Sequence, residues 1–248
     1  MDQSDLESAL AEHVPQVTYL EQTGSTNAVA KKLALEGAPH RALVVAGFQT
    51  EGRGRFDRTW FAPAGCCLLF SQVIRPKCEA EQLPLVNLAA SIALSQALFG
   101  LGVDSTLKWP NDVLINGRKV AGILSEVLDA VGPEQAVVLG VGLNVNVEEF
   151  PEELRGTATS LSLEAGASFD LIETLIQFLI RFEILLESFP DGMAEVYIDL
   201  CETIGRRVRV QSGNSVVEGK AVRIDAAGHL VLEGGHTVTA GDLTHFQA

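Results

Sequence analysis

Hydrophobic and polar positions along this chain change period in blocks, and each change predicts a boundary. Residues 4–12 have the pattern of a short amphipathic helix, and residues 17–20 read as a first strand. Ser25 or Thr26 then offers an N-cap oxygen ahead of NAVAKKLALEG, a helix rich in Ala, Leu and Lys that Gly37 and Pro39 stop. Residues 42–48 form an apolar strand that runs into QTEGRGRFDRTW, too rich in glycine and charge to be regular structure. Residues 66–74 predict a strand ended by Arg75-Pro76, and residues 81–99 have helical periodicity closed by Gly100 and Gly102. Strand-like pieces follow around 104–108, 113–116, 119–127 and 135–143, two of them joined by the hairpin dipeptide Asn116-Gly117. After a polar loop, Asp170 caps LIETLIQFLIRFEILLES, a helix apolar on most faces and expected to pack on two sides.

After about residue 203 the pattern shortens. Residues 207–211, 215–224, 230–232 and 237–239 are brief alternating strands separated by Ser-Gly-Asn, Ala-Ala-Gly and Gly-Gly turns, the signature of a small antiparallel barrel or sandwich. The expected organisation is a mixed α/β or α+β domain over residues 1–202 and a small all-β module over residues 203–248.

Composition narrows the function classes. With 248 residues, 47% hydrophobic and 20% charged, the chain has ordinary globular values. Lys+Arg 18 against Asp+Glu 32 gives a net charge of -14, which repels phosphate backbones at long range, so DNA is not an expected partner. A local basic patch can still hold a small anion. No run of eighteen uninterrupted apolar residues is present, and the acidic start lacks the order of a secretory signal, so neither membrane insertion nor export is expected. Cys66, Cys67, Cys78 and Cys201 show no C-x-x-C spacing, which fits reduced thiols in a cytoplasmic protein.

Against that acidic background, Gly52-Arg53-Gly54-Arg55-Phe56-Asp57-Arg58 concentrates three guanidiniums among glycines. Such a segment can bring backbone N–H groups and bidentate donors onto a carboxylate or phosphate, or it can be a solvated Arg-rich turn. In Lys108-Trp109-Pro110-Asn111-Asp112, followed by Gly117-Arg118-Lys119-Val120-Ala121-Gly122, a bend places Lys108 and Lys119 near opposite ends of one strand pair. They converge on an anion there, or they are surface lysines beside a turn. Asp112 could bind a metal ion or orient an amine. Gly140-Val141-Gly142-Leu143-Asn144 ends an apolar strand, and its glycines suit a sheet edge that a flat ligand approaches, with Asn144 reading a ring edge. Gly24-Ser25-Thr26-Asn27 either caps a helix or binds a small polar ring such as a urea.

Taken in order, GSTN, GRGRxxRxW, KWPND, GRKVAGIL and GxGxN closely resemble the biotin protein ligases, over about residues 17–161. The resemblance implies a mixed β-sheet flanked by helices, like that of class II aminoacyl-tRNA synthetases, with a small Src-homology-3-like C-terminal barrel. It implies an enzyme that joins biotin to ATP with Mg²⁺, giving biotinyl-5′-AMP, and passes biotin to one lysine of a biotin carboxyl carrier domain. By resemblance Ser25, Thr26, Asn27 and Gln49 line the biotin ring site, and Gly52, Arg53 and Arg55 close over biotin and the adenylate. Lys119 contacts the biotin carboxyl and the phosphate, while Lys108, Asn111 and Asp112 stand beside the phosphates and metal. Lys119, Arg55 and Lys108 are the implied catalytic residues. Gly122 and Gly140 belong to the biotin walls, and Arg58, Trp60, Gly142, Leu143 and Asn144 to the adenylate side. Ala158-Thr159-Ser160-Leu161 corresponds to an adenylate-covering segment. Monomers and homodimers both occur among such ligases.

Asp57 stands where those ligases usually have glycine, and Cys67 where they often have Asn; a thiol packed as a small hydrophobe is the plain expectation for Cys67. GSTN begins at residue 24, so a preceding DNA-binding domain, and with it transcriptional repression, is not expected. Two other readings compete: a lipoate or octanoate ligase or transferase on the same fold, and a non-catalytic biotin-binding protein built on a degenerate ligase. Mutual repulsion of its charges is expected to make the glycine–arginine segment mobile without ligand.

Overall fold

The computed structural model of the chain describes residues 2–128 and 135–246. The larger part of the fold holds α1 (Gln3–Leu10), β1 (Val17–Leu20), α2 (Thr26–Leu35), β2 (Leu43–Ala46), β3 (Cys67–Ile74) and α3 (Leu85–Gly100). It continues with β4 (Thr106–Lys108), β5 (Asp112–Ile115), β6 (Arg118–Leu128), β7 (Ala136–Asn144), α4 (Leu161–Ala165), α5 (Leu171–Glu187) and α6 (Met193–Leu200). The C-terminal part holds β8 (Arg207–Ser212), β9 (Ser215–Ile224), β10 (Leu230–Leu232), β11 (Thr237–Val238) and β12 (Asp242–His245).

Seven strands form one mixed sheet in the order β1-β2-β3-β7-β6-β5-β4. β1 and β2 are parallel, with α2 as the crossover that parallel pairing demands, and the other neighbours are antiparallel. The period-2 alternation of β7 assigns the two faces. Val137, Leu139, Val141 and Leu143 enter the main core, whereas Val138 packs against α2 and Gly140, Gly142 and Asn144 face a cleft on the same side. α3 lies on the core face against α5 and α6, buried almost all round. Its composition is apolar enough to span a membrane, but here that surface is spent on the core, where each buried Leu or Ile contributes about 1.5–3 kcal/mol.

The second sheet, β11-β10-β9-β8-β12, is antiparallel throughout. Its inward residues Val208, Val210, Leu230 and Leu243 join the same core as the large sheet. Trp109, fully buried, pins the two together: its Nε1 donates to Gly228 O at 3.1 Å and its backbone N–H to Thr203 Oγ1 at 3.2 Å. The small sheet is thereby fixed with Gly241 and Asp242 at the mouth of the cleft.

Several expectations are corrected. α3 starts at Leu85 because Pro84 takes its N-cap position, and residues 80–82 form a separate 3₁₀ turn. α5 buries one stripe, Leu175, Phe178, Leu179 and Phe182, and leaves Ile184 59% exposed, so it packs on one side rather than two. α4, α6 and β12 are additional to the elements expected, α4 lying within the polar loop. β7 is central in its sheet and not an edge. Asn116-Gly117 does form the tight hairpin turn, with φ of 51° and 74°.

Candidate active site

The cleft has a volume of about 1560 Å³, above the ~300–1,000 Å³ usual for one small ligand, so it has room for two substrates side by side. Its floor is β6 and β7; its walls are the start of α2, the glycine–arginine segment, the β4–β5 turn and the rim of the small sheet.

A β-bulge sets the centre. β5 and β6 pair Asp112 with Gly122 and Val113 with Ala121, then skip Val120 and pair Leu114 with Lys119. That extra residue turns the Lys119 side chain onto the cleft face, where strict alternation would have sent it to the core. Lys119 Nζ lies 2.5 Å from Asp112 Oδ1 and 5.4 Å from the centre of the Trp60 ring. Lys108 is directly opposite Asp112 in the β4–β5 register. Asn111 donates through Nδ2 to Ile123 O at 2.9 Å, anchoring the turn to β6.

At the α2 end, neither Ser25 nor Thr26 caps the helix with its own oxygen; Gln49 Oε1 accepts from Thr26 N–H at 2.7 Å instead. Thr26 Oγ1 donates to the same oxygen at 3.0 Å. Ser71 Oγ lies 2.7 Å from Thr26 Oγ1 and 2.6 Å from Asn27 Oδ1, and Asn27 Nδ2 donates to Glu126 Oε2 at 2.7 Å. Thr26, Asn27 and Ser71 are all buried. Ser25 lines the cleft, with its hydroxyl uninvolved in capping.

The glycine–arginine segment is a short hairpin. Arg53 pairs with Thr59, Gly54 N–H donates to Arg58 O at 2.7 Å, and Trp60 N–H to Gly52 O at 2.9 Å. Arg55 Nη1 donates to Gly241 O at 3.1 Å and lies 3.5 Å from Asn111 Oδ1; burial pushes its pKa down. Arg58 pairs with both carboxylate oxygens of Asp242, and that hydrogen bonding pushes its pKa up. The repulsion expected among these arginines is therefore offset by the small sheet, which supplies a carbonyl and a carboxylate. The Asp57 side chain lies outside the described structure.

Glycine is required on the cleft floor, although the protein's own side chains are what approach it. A Cβ at Gly140 would fall 2.1 Å from Asn27 Oδ1, and one at Gly142 would fall 2.7 Å from Trp60 Nε1. At Gly122 it would meet Lys119 Nζ at 3.1 Å. Trp60 thus lies across the cross-strand pair Gly122–Gly142, with its buried Nε1 lacking a partner among the described residues.

Three expected site residues act differently. Leu143 is fully buried and faces the core, because alternation on β7 gives the cleft to Gly142 and Asn144. Gly52 is buried behind Trp60 and Gln49 and forms no part of the cleft surface. Asn144 is 3% exposed and spends its amide internally, donating to Thr159 O at 3.0 Å and accepting from Cys67 Sγ at 3.7 Å. It anchors the covering segment, which also pairs with Lys119 through Lys119 N–H to Thr157 O and Thr159 N–H to Lys119 O. Cys67 packs as a small buried side chain, and burial pushes its pKa up to about 12.

Arg53, Arg55, Arg58, Lys108, Lys119, Asn111, Asp112 and Trp60 all line the one cleft, together with Thr26, Asn27 and Gln49. Lys31, Ser71, Glu126 and Asp242 were not anticipated. For Glu126 a signal was available, since Gly122, Leu124 and Glu126 share one face of β6 by alternation. Asp242 carries none, because its partner Arg58 is remote in sequence. Among the described residues no group of three metal-ligating side chains occurs. Asp112, already paired with Lys119, suits an ion that is carried mainly on phosphates.

A mixed sheet whose glycine floor, paired lysines and arginine hairpin converge on one cleft defines a class that activates an acid with a nucleotide. The chain belongs to the biotin/lipoate A/B protein ligase family, whose pattern matches residues 19–144, and residues 203–243 match the biotin protein ligase C-terminal domain. It is 37% identical to the biotin–[acetyl-CoA-carboxylase] ligase of Mycobacterium tuberculosis over 245 residues, 94% of this chain and 90% of that one. It is 36% identical to the bifunctional ligase/repressor BirA of Bacillus subtilis over 225 residues, 87% of this chain and 68% of that one. A structure of the Aquifex aeolicus biotin protein ligase in complex with biotin and ATP superposes with a TM-score of 0.79 at 28% identity, covering 94% of this chain and 100% of that one.

Proposed function

We propose that this protein activates biotin with ATP to biotinyl-5′-AMP and pyrophosphate, then transfers biotin to a lysine of a biotin carboxyl carrier domain. The observation that carries the reading is the bulge that turns Lys119 onto the cleft face, between Asp112 and the Trp60 ring, in the same cleft as Arg55.

In the first half-reaction a carboxylate oxygen of biotin attacks the α-phosphorus, and the bond to the pyrophosphate oxygen breaks. Two anions must meet, so fixed positive charge is the main requirement. Lys119 sits where the carboxylate and α-phosphate would converge, Arg55 covers them from the hairpin, and Lys108 neutralises the leaving pyrophosphate. Thr26, Asn27 and Gln49 hold the ring at the far end, which sets the length of acid that reaches Lys119. Magnesium borne on the phosphates would be held by Asp112 and would add further charge neutralisation. In the second half-reaction the carrier lysine amine attacks the acyl carbon, AMP leaves, and the amine proton passes to solvent. Asp112 would accept a hydrogen bond from that amine and orient it. The hairpin shields the anhydride from water meanwhile, together with Ala158, the residue of the expected covering segment 158–161 that lines the cleft, Thr159, Ser160 and Leu161 being buried beneath it.

Incubation with biotin, lipoate or octanoate, each with Mg-ATP, separates the readings by pyrophosphate release. Release with biotin alone supports the proposal; release with lipoate or octanoate selects the other branch of the family, and none with any acid selects a binding protein.

A further inference from the structure

One residue of the cleft takes no part in the mechanism above yet touches the groups that do. Glu126, on β6, reaches the start of α2: Oε2 accepts from Asn27 Nδ2 at 2.7 Å, and Oε1 pairs with Lys31 Nζ. Asn27 and Lys31 are four apart on α2 and so share a face toward the carboxylate. Leu124 O adds a second acceptor for Asn27 Nδ2 at 3.4 Å.

Carboxylate and carbonyl oxygens only accept hydrogen bonds, so they settle which end of the Asn27 amide is which. The NH₂ end faces Glu126, and Oδ1 is turned to Ser71 Oγ at 2.6 Å. Ser71 has one hydroxyl hydrogen. It goes to Asn27 Oδ1; the neighbouring Thr26 Oγ1, 2.7 Å away, gives its own single hydrogen to Gln49 Oε1. Thr26 N–H and Oγ1 both reach Gln49 Oε1, so the Gln49 amide turns its NH₂ away from the helix. The order of donors and acceptors thus runs from Glu126 through Asn27 to Ser71, with Thr26 and Gln49 in contact beyond it. Ser71 is fully buried and Gly140 leaves no slack beneath Asn27, so the Asn27 amide has one arrangement. Lys31 offsets the Glu126 charge, which would otherwise repel an anionic ligand.

We infer that Glu126 is a positioning residue of the ring subsite, holding the Asn27 amide in the one orientation that gives the subsite a fixed donor and acceptor pattern for a small cyclic urea. The inference rests on the biotin reading for the identity of that ring. Glu126 does not touch the reacting atoms, so its effect is confined to recognition of the acid.

The test is calorimetric titration of biotin into the full chain, paired with steady-state pyrophosphate release. Glu126→Gln is isosteric, but its amide faces a conflict: an Oε1 turned to Asn27 leaves its NH₂ against the Lys31 ammonium. The variant is expected to raise the biotin Kd about tenfold, the scale of one charge-assisted hydrogen bond, with the KM for ATP within about twofold and kcat within about threefold. Adding Lys31→Met removes the conflict, and the double variant is expected to return within about threefold of the parent. A purely structural role would move the KM for ATP as well and would show no such recovery. A biotin Kd unchanged in Glu126→Gln, a parallel rise in the KM for ATP, or no recovery in the double variant each overturns the inference alone. A parent chain that binds no biotin overturns the ligand reading and this inference with it.

Discussion

Lys119→Ala tests the centre of the mechanism. The parent ammonium is held 2.5 Å from Asp112 Oδ1, on the cleft face of the bulge. A unit charge about 4 Å from developing phosphate charge contributes about 4 kcal/mol at an effective dielectric of about 20. The Lys119 side chain keeps 33% exposure, so solvent screening trims this contribution. About 3 kcal/mol remains, a factor of ~10² at ~1.4 kcal/mol per decade, which matches the cost of removing one preorganised donor elsewhere. The substitution also leaves the Asp112 carboxylate unpaired beside the phosphates, which adds repulsion. Pyrophosphate release under single turnover with saturating biotin and Mg-ATP is therefore expected to slow by two to three orders of magnitude, an estimate of about 10²–10³. A rate within about threefold of the parent for Lys119→Ala would remove this lysine from the chemistry and refute the electrostatic argument.

Other consequences follow from single contacts. Gly140→Ala places a methyl 2.1 Å from Asn27 Oδ1, so Asn27 must move; biotin Kd is expected to rise at least about tenfold, and calorimetry showing no change contradicts the packing. Arg55→Gly removes the guanidinium that reaches Gly241 O and Asn111, and biotinyl-5′-AMP should then escape, seen as label on the lysines of an added bystander protein. Label confined to the carrier would show that the hairpin is not the shield. His245, whose pKa is pushed down by burial and then by Lys108 and Arg206, binds protons less readily folded than unfolded. The unfolded chain thus takes up more protons near and below the ordinary imidazole value of ~6.5, so stability falls as pH drops through that range. The melting temperature of the parent should drop further between pH 7 and pH 5 than that of His245→Gln, and equal drops would discount the group.

Much of the site was legible because its motifs are local. GRGR, KWPND and GRKVAGIL each lie on one turn or strand, and the fold brings them to one cleft. What sequence could not supply came from pairs distant along the chain. Asp242 joins Arg58 from β12, a strand of four residues with Asp, Thr and His among them and no apolar alternation to mark it. Ser71 sits in the apolar run of β3, where a lone hydroxyl reads as filler until α2 is laid across it. Leu143 was misassigned for a different reason: a motif names consecutive residues, whereas a strand presents every second one, which turns Gly142 and Asn144 to the cleft side and Leu143 to the core. The bulge at Val120 is the converse case, since strict alternation would have hidden Lys119 and the motif alone pointed to it. α6 was not anticipated: its eight residues follow Asp191-Gly192 closely after the long α5, too short a run for its periodicity to stand out.

The carboxylate of one acid and the α-phosphate of one nucleotide must meet under Arg55 and Lys119. The most direct measurement is a crystal structure of the protein soaked with biotin and a non-hydrolysable ATP analogue. The biotin ring is expected beside Thr26, Asn27 and Gln49, with its carboxylate and the α-phosphate both within hydrogen-bond reach of Lys119 Nζ. Density for neither ligand in the cleft, with Arg53, Arg55 and Lys119 directed apart into solvent, would contradict it.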